Sequence, residues 1–266
     1  MTLSIRHATT YNYDPPADRC ALRLKLYPPA FDGQRVTSWK VSVNGVAIPP
    51  LLTTAFGDPE AVWVSTTPIS HVEIVAEGVV EARDMSGVVR GLKDMARPGV
   101  FLRTTPLTMP DKAIEKLADG ITGGSLLQKM HALCSAVLDA IAYKAGATDA
   151  RTTAAQALKL GSGVCQDHAH VFISAARTMG VPARYVVGYL HSPESQLTET
   201  HAWGEVFLPE LGWVGFDPTN RLCPTERYVR LGCGLDAADA APVRGNVAGV
   251  SQESLAASVD IGQTQQ

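Results

Sequence analysis

The chain has 266 residues, enough for two modest domains or one large one with a real core. Hydrophobic residues make up 45% and charged residues 18%, which excludes long disordered tracts. A net charge of −3 without any basic run excludes an electrostatic surface for nucleic acid. No apolar stretch approaches the roughly 18–20 residues that span a bilayer. The opening MTLSIRHATTYNYDPP alternates like a strand and lacks the apolar core of a secretory signal. Five cysteines, an odd number with scattered spacing, form no disulfide framework. The expectation is a cytoplasmic protein with reduced thiols, with neither nucleic acid nor membrane as partner.

Residues 1–105 read as a β-rich N-terminal module. Leu3-Ser4-Ile5-Arg6-His7, Cys20 to Leu26 and Trp39 to Val43 alternate, and Ala61 to Val64 and His71 to Glu77 suggest further strands. Pro28-Pro29, Asn44-Gly45, Pro49-Pro50 and Gly57-Asp58-Pro59 punctuate them. Short strands with regular breaks predict a β-sandwich-like module.

A second region, 106–245, begins with helices. Asp111 can cap a helix through about Asp119, and Leu126, Leu127, Met130, Leu133, Cys134, Val137, Leu138 and Ile141 recur at helical spacing behind Ser125. Thr153 to Leu160 is a third helical stretch. Gly161-Ser162-Gly163 breaks the chain, and a fourth helix runs from about Val164 to Met179, stopped by Gly180 and Pro182. Strands follow at Arg184–Leu190, His201–Leu208 and Gly212–Phe216, so this region is α+β. Residues 246–266 form a small-residue tail with one strand near Leu255 to Ile261 and a loose end.

Cys165 stands at the start of the fourth helix, just after the glycine-rich turn. Free backbone N–H groups and the positive end of the helix dipole favour a thiolate there and can hold an oxyanion. A base is needed to complete a nucleophile, and His168, His170, His191 and His201 are the candidates. His168 and His170 share the helix with Cys165 and point along its flanks. His201 opens a strand across the break, and Asp217 ends the next strand, where an antiparallel neighbour can fix the imidazole tautomer.

GVCQDHAH, RTMGVPARYVVGYL and THAWGEVFLPELGWVGFDPTN, in the order Cys, His, Asp, resemble the bacterial branch of the transglutaminase-like superfamily. IRHATTYNYDPPA and LRLKLYPP resemble the β-rich N-terminal region that accompanies that core. The likeness runs from about residue 3 to about 245. It implies a papain-like core, helices packed on an antiparallel sheet, with Cys165, His201 and Asp217 as its triad and a thioester intermediate. It also implies a second oxyanion donor upstream, for which Tyr143 is the candidate. Cross-linking members carry Trp after the nucleophile and often calcium sites. Here Gln166 follows, and no EF-hand-like loop is present. Hydrolysis of a peptide or protein amide, or of an isopeptide, is therefore favoured over acyl transfer to an amine. A non-catalytic binding module is the reading from another class.

Plainer roles stand beside these. Cys165 alone would read as a buried thiol, as Cys134 and Cys20 do on their apolar faces. Cys165-x-x-His168-x-His170 offers three metal ligands at a spacing that suits zinc poorly, so no metal and no cofactor are expected, and both histidines read as satisfying buried hydrogen bonds. Asp167 reads as a first-turn acid serving the helix dipole. Trp203 and Trp213 read as strand residues packed on the helix, and the loop from Ser192 to Thr200 as one that shapes the cleft.

Overall fold

Alternating burial organises the first half of the chain. In a computed structural model that describes residues 1–192 and 200–264, this half forms β1 (Thr2–Ala17), β2 (Arg19–Leu24), β3 (Gln34–Val43), β4 (Val46–Ala47), β5 (Leu52–Thr53), β6 (Pro59–Ser65), β7 (Ile69–Ala82) and β8 (Val88–Val89). Leu3 and Ile5 of β1, Leu22 and Leu24 of β2, and Val72 and Ile74 of β7 point into one core while their sequence neighbours face outward. Asn44 and Gly45 both adopt positive φ in the two-residue turn between β3 and β4, as a tight hairpin requires.

Three capped helices follow: α1 (Lys112–Asp119), α2 (Leu126–Ala140) and, after β9 (Ala142–Tyr143), α3 (Ala154–Leu160). Asp111 accepts from the N–H groups of Ala113 and Ile114, and Ser125/Gln128 and Thr153/Gln156 form reciprocal capping boxes. Gly161 ends α3 in the left-handed conformation that spares a glycine its Cβ penalty. Next come β10 (Ser162–Gly163) and α4 (Cys165–Thr178), whose Val171, Phe172 and Ile173 are fully buried. Each such side chain contributes roughly 1.5–3 kcal/mol by leaving water.

The chain then adds β11 (Ala183–Leu190), β12 (His201–Leu208), β13 (Gly212–Phe216), β14 (Tyr228–Gly234), a short α5 (Ala237–Ala240), β15 (Val243–Ala248) and β16 (Gln252–Gln263). One sheet runs β14-β11-β12-β13-β8, a second β16-β1-β7-β3-β4 and a third β15-β2-β6-β5. Helices packed on an antiparallel sheet, behind a β-rich N-terminal region, make this the α+β fold expected from the sequence. The tail differs from its expected single short strand. It forms both β15, paired with β2, and β16, paired with β1 along twelve residues from Gln252 to Gln263. Small residues such as Ala256 and Ala257 hid that strand, because its side chains are mostly exposed and show little apolar alternation.

α4 lies on one face of the β11–β14 sheet. Gly204 of β12 meets it directly, since a Cβ there would come within 2.6 Å of Phe172 and 3.0 Å of Ile173. Trp203 therefore points to the other face, where it packs with Val186, Tyr228 and Cys233. The expectation that Trp203 packs on the helix is corrected by that alternation. Trp213 packs edge-on to Phe101 and Phe207, with the Arg184 guanidinium 4.0 Å above its ring. Among the described residues no helix is long and apolar enough to cross a membrane.

Candidate active site

Cys165 is the first residue of α4 and is partly exposed, unlike the buried Cys20, Cys134 and Cys233. Its turn is held from behind. Asp167 Oδ2 accepts from the Val164 N–H at 2.8 Å and from the Thr148 hydroxyl at 2.6 Å, while its Oδ1 is buried without a partner among the described residues. Gly163 has no room for a side chain, because a Cβ would meet that carboxylate at 2.6–2.8 Å. Asp167 thus anchors the loop that presents the sulfur, a more specific task than general service to the helix dipole.

His201 opens β12 and Asp217 follows β13, so the antiparallel pairing of those strands brings the two side chains to the same end of the sheet. His201 Nε2 donates to Asp217 Oδ2 at 2.7 Å. Burial alone would push the imidazole pKa down. The Asp217 hydrogen bond, the interaction with the Cys165 side chain and both nearby charges outweigh it, and the pKa is pushed up to about 10. Asp217 itself is fully buried, which opposes its charge. His201, Tyr228 and Asn220 nevertheless hold its carboxyl below the usual range. The structure therefore brings Cys165, His201 and Asp217 together, with the His201 ring bonded to Asp217 and lying within electrostatic reach of Cys165.

The rings of His168 and His170 are occupied elsewhere. The ring nitrogens of His168 lie 2.9 Å from the Val164 and Ile141 carbonyl oxygens, tying the start of α4 to the end of α2. His170 Nε2 accepts the Ala237 N–H at 3.0 Å. Burial first of all pushes the His170 pKa down to about 4. His191 follows β11, and its backbone N–H donates to the Arg227 carbonyl. Tyr143 pairs through β9 with Gly163, two residues before Cys165, and its ring lies parallel to His168 with centroids 6.5 Å apart. Most of the Ser192–Thr200 loop lies outside the described residues.

Sequence reasoning did not find the groups around Asp217. Oδ2 also accepts from Asn220 Nδ2 and the Tyr228 hydroxyl, both at 2.7 Å, and Oδ1 accepts from the N–H groups of Thr219 and Asn220. Trp203 stacks beside His201 with centroids 6.3 Å apart. Asn220 had a signal in the Asp-Pro-Thr-Asn turn, where a side-chain oxygen caps its own turn. Tyr228 had none, because a strand eleven residues onward gives no hint of which carboxylate it meets. An open cleft of about 440 Å³ borders Asn220 and Tyr228, with Asp84, His191, Leu222 and Arg227 among its walls.

Comparison with known proteins agrees with this architecture. Residues 115–218 match the model of the transglutaminase-like superfamily, and residues 3–81 match the bacterial transglutaminase-like N-terminal region. An uncharacterised protein of Mycobacterium leprae (strain TN) is 26% identical over 97% of this chain and 98% of its own length. A protein-glutamine gamma-glutamyltransferase of Pseudomonas aeruginosa is 37% identical over 71 residues, 24% of this chain and 11% of that protein. The crystal structure of a candidate cysteine protease from Cytophaga hutchinsonii superposes with a TM-score of 0.79 at 21% identity, covering 100% of this chain and 91% of that one, which shows a shared fold. With its core and its N-terminal region each matched, the chain belongs to the transglutaminase-like superfamily and carries the bacterial N-terminal region ahead of that core.

Proposed function

We propose that the chain is a cysteine-dependent amide hydrolase acting on peptide, protein or isopeptide substrates through a thioester, with Cys165, His201 and Asp217 as its catalytic residues. The observation that carries this reading is His201 itself, hydrogen-bonded to the buried Asp217 and close enough to Cys165 at the tip of α4 for the two side chains to interact electrostatically. Paired with Asp217, the imidazole holds its proton at neutral pH, and an imidazolium beside a helix N-terminus is the setting that favours a thiolate.

The thiolate sulfur attacks the amide carbonyl carbon, and the π pair moves onto oxygen. First-turn amides of α4 face that oxyanion, and Tyr143 is assigned the second donor because β9 holds it beside Gly163. Collapse breaks the C–N bond, and His201 gives its proton to the departing amine. Water then loses a proton to His201 and attacks the thioester, releasing the acid and restoring the thiolate. The chemistry calls for a reduced Cys165, which fits the cytoplasmic location expected of five free cysteines.

The likeness to a gamma-glutamyltransferase supports a second reading, in which an amine replaces water in the last step. Product analysis separates the two. Peptide, isopeptide and glutamine-amide substrates are incubated with wild type and Cys165→Ala, with and without a primary amine. Free acid formed by wild type alone supports hydrolysis. A mainly amine-linked product at modest amine concentration supports transfer. Neither product, with an unreactive Cys165, supports a non-catalytic module.

A further inference from the structure

Three donors converge on one oxygen of Asp217. His201 Nε2, Asn220 Nδ2 and the Tyr228 hydroxyl each lie 2.7 Å from Oδ2. A carboxylate oxygen offers about two lone-pair sites, so three donors must share them. Two neutral groups thus compete with the imidazole for the oxygen that orients it. Tyr228 is the more constrained of the two. It is buried, its ring stands at 64° to His201 and at 87° to Trp203, and Trp203 lies nearly parallel to the imidazole. Tyr228 and Trp203 therefore bracket the ring in place. Burial, and then the neighbouring Asp217, hold the phenol pKa far above its ordinary value, so Tyr228 remains a donor wherever the enzyme works.

We propose that Tyr228 is a positioning residue for the Cys165 reaction, fixing Asp217 Oδ2 against His201 Nε2 and drawing off part of that oxygen's basicity. The inference rests on the catalytic reading above. Its consequence is chemical as well as steric. A carboxylate with no competing donor would hold the imidazolium proton harder and make His201 a weaker acid toward the leaving amine. Tyr228 tempers that pull while keeping the tautomer that leaves the other ring nitrogen to Cys165. Cys165 from α4 acts on His201 and Cys134 from α2 lies within reach of Asp217, with Arg221, from the turn after Asp217, acting on Cys134.

Tyr228→Phe keeps the ring and removes the donor alone. The expected result is a fall in kcat of about tenfold with KM within about twofold, as for loss of an orienting hydrogen bond. The alkaline limb of kcat/KM, and of Cys165 alkylation by iodoacetamide, should move to higher pH. Placing 3-fluorotyrosine, a stronger donor of nearly the same shape, at position 228 should move both limbs to lower pH. That opposite shift is one a merely structural role would not produce. Unmoved limbs in both variants, with kcat within about twofold of wild type, would overturn the role of Tyr228 alone. Alkylation does not depend on knowing the substrate, which keeps the two claims apart. If wild-type Cys165 reacts no faster than the other four cysteines, the catalytic reading falls and this inference falls with it.

Discussion

At the scale of single residues, Asp217 carries an unusual burden for a fully buried carboxylate, orienting His201 while its charge is met by Asn220, Tyr228 and two backbone N–H groups. Asp217→Asn preserves its shape but presents His201 with an amide, which disturbs the tautomer. Steady-state kinetics should show kcat lower by roughly 10³–10⁴ with KM little changed, the scale known for such a swap in other triads. A loss under tenfold would show that Asp217 does not orient the base. Cys165 and Asp217 were legible in the sequence because each stands at an element tip marked by glycine or proline, and His201 because it opens a strand across the break from the cysteine's helix. Tyr228 and Trp203 were not, since their place depends on sheet order. β14 pairs with β11 and not with β13, its predecessor in the chain, and no local pattern reveals such a crossover.

At the scale of elements, the fit of α4 against β12 sets the distance across which Cys165 and His201 meet. Gly204 permits it, because Phe172 and Ile173 occupy the space a side chain would need. Gly204→Ala should destabilise the fold by about 1–3 kcal/mol through overpacking, read as a lower urea midpoint. It should also slow Cys165 alkylation, since the helix must back away from the strand. An unchanged midpoint would show that the contact yields freely. The helices were readable from their caps, and Asp111, Ser125 and Thr153 each stand at the N-cap. What could not be read was which face of a strand meets which layer. Alternation predicts two faces, but only the helix contact at Gly204 shows that Trp203 looks away from it.

At the scale of the molecule, strands outside the two matched regions extend the sheets of both. β8, from the stretch between them, pairs with β13, while β15 and β16, from beyond the core, return to β2 and β1. Between them Glu205 bridges Arg184 and Arg230, Arg230 reaches Asp58, and Asp58 accepts the Cys233 N–H. Such a network was invisible in a sequence whose charges look evenly spread. His7 of β1 joins the same seam, bonded to Tyr189 of β11 at 3.1 Å and to Thr9.

Burial pushes His7 and His170 down to about 4, from 6.5 when exposed. Both are neutral in the fold, and the unfolded chain takes up their protons first as the medium acidifies. Their contribution is therefore complete above pH 6.5 and lost between pH 6.5 and about 4. His201, shifted upward, acts in the opposite window, toward pH 10. Urea unfolding should lose up to about 3 kcal/mol per histidine across the acid window. His7→Gln should flatten that slope, whereas an identical slope in the variant would contradict the assignment.

The most direct test of the central claim is trapping the acyl-enzyme. The protein is mixed briefly with p-nitrophenyl acetate, quenched in acid and mapped by peptide mass. Burial pushes the thiols of Cys134 and Cys233 up to about 12 and that of Cys223 up to about 11, and Cys20 is also raised, so all four serve as internal controls. One acetyl group on Cys165, absent in Cys165→Ala and slow to form in His201→Ala, is the predicted result. Acetylation spread over several cysteines, or a Cys165 that stays unmodified while the ester is consumed, would contradict it.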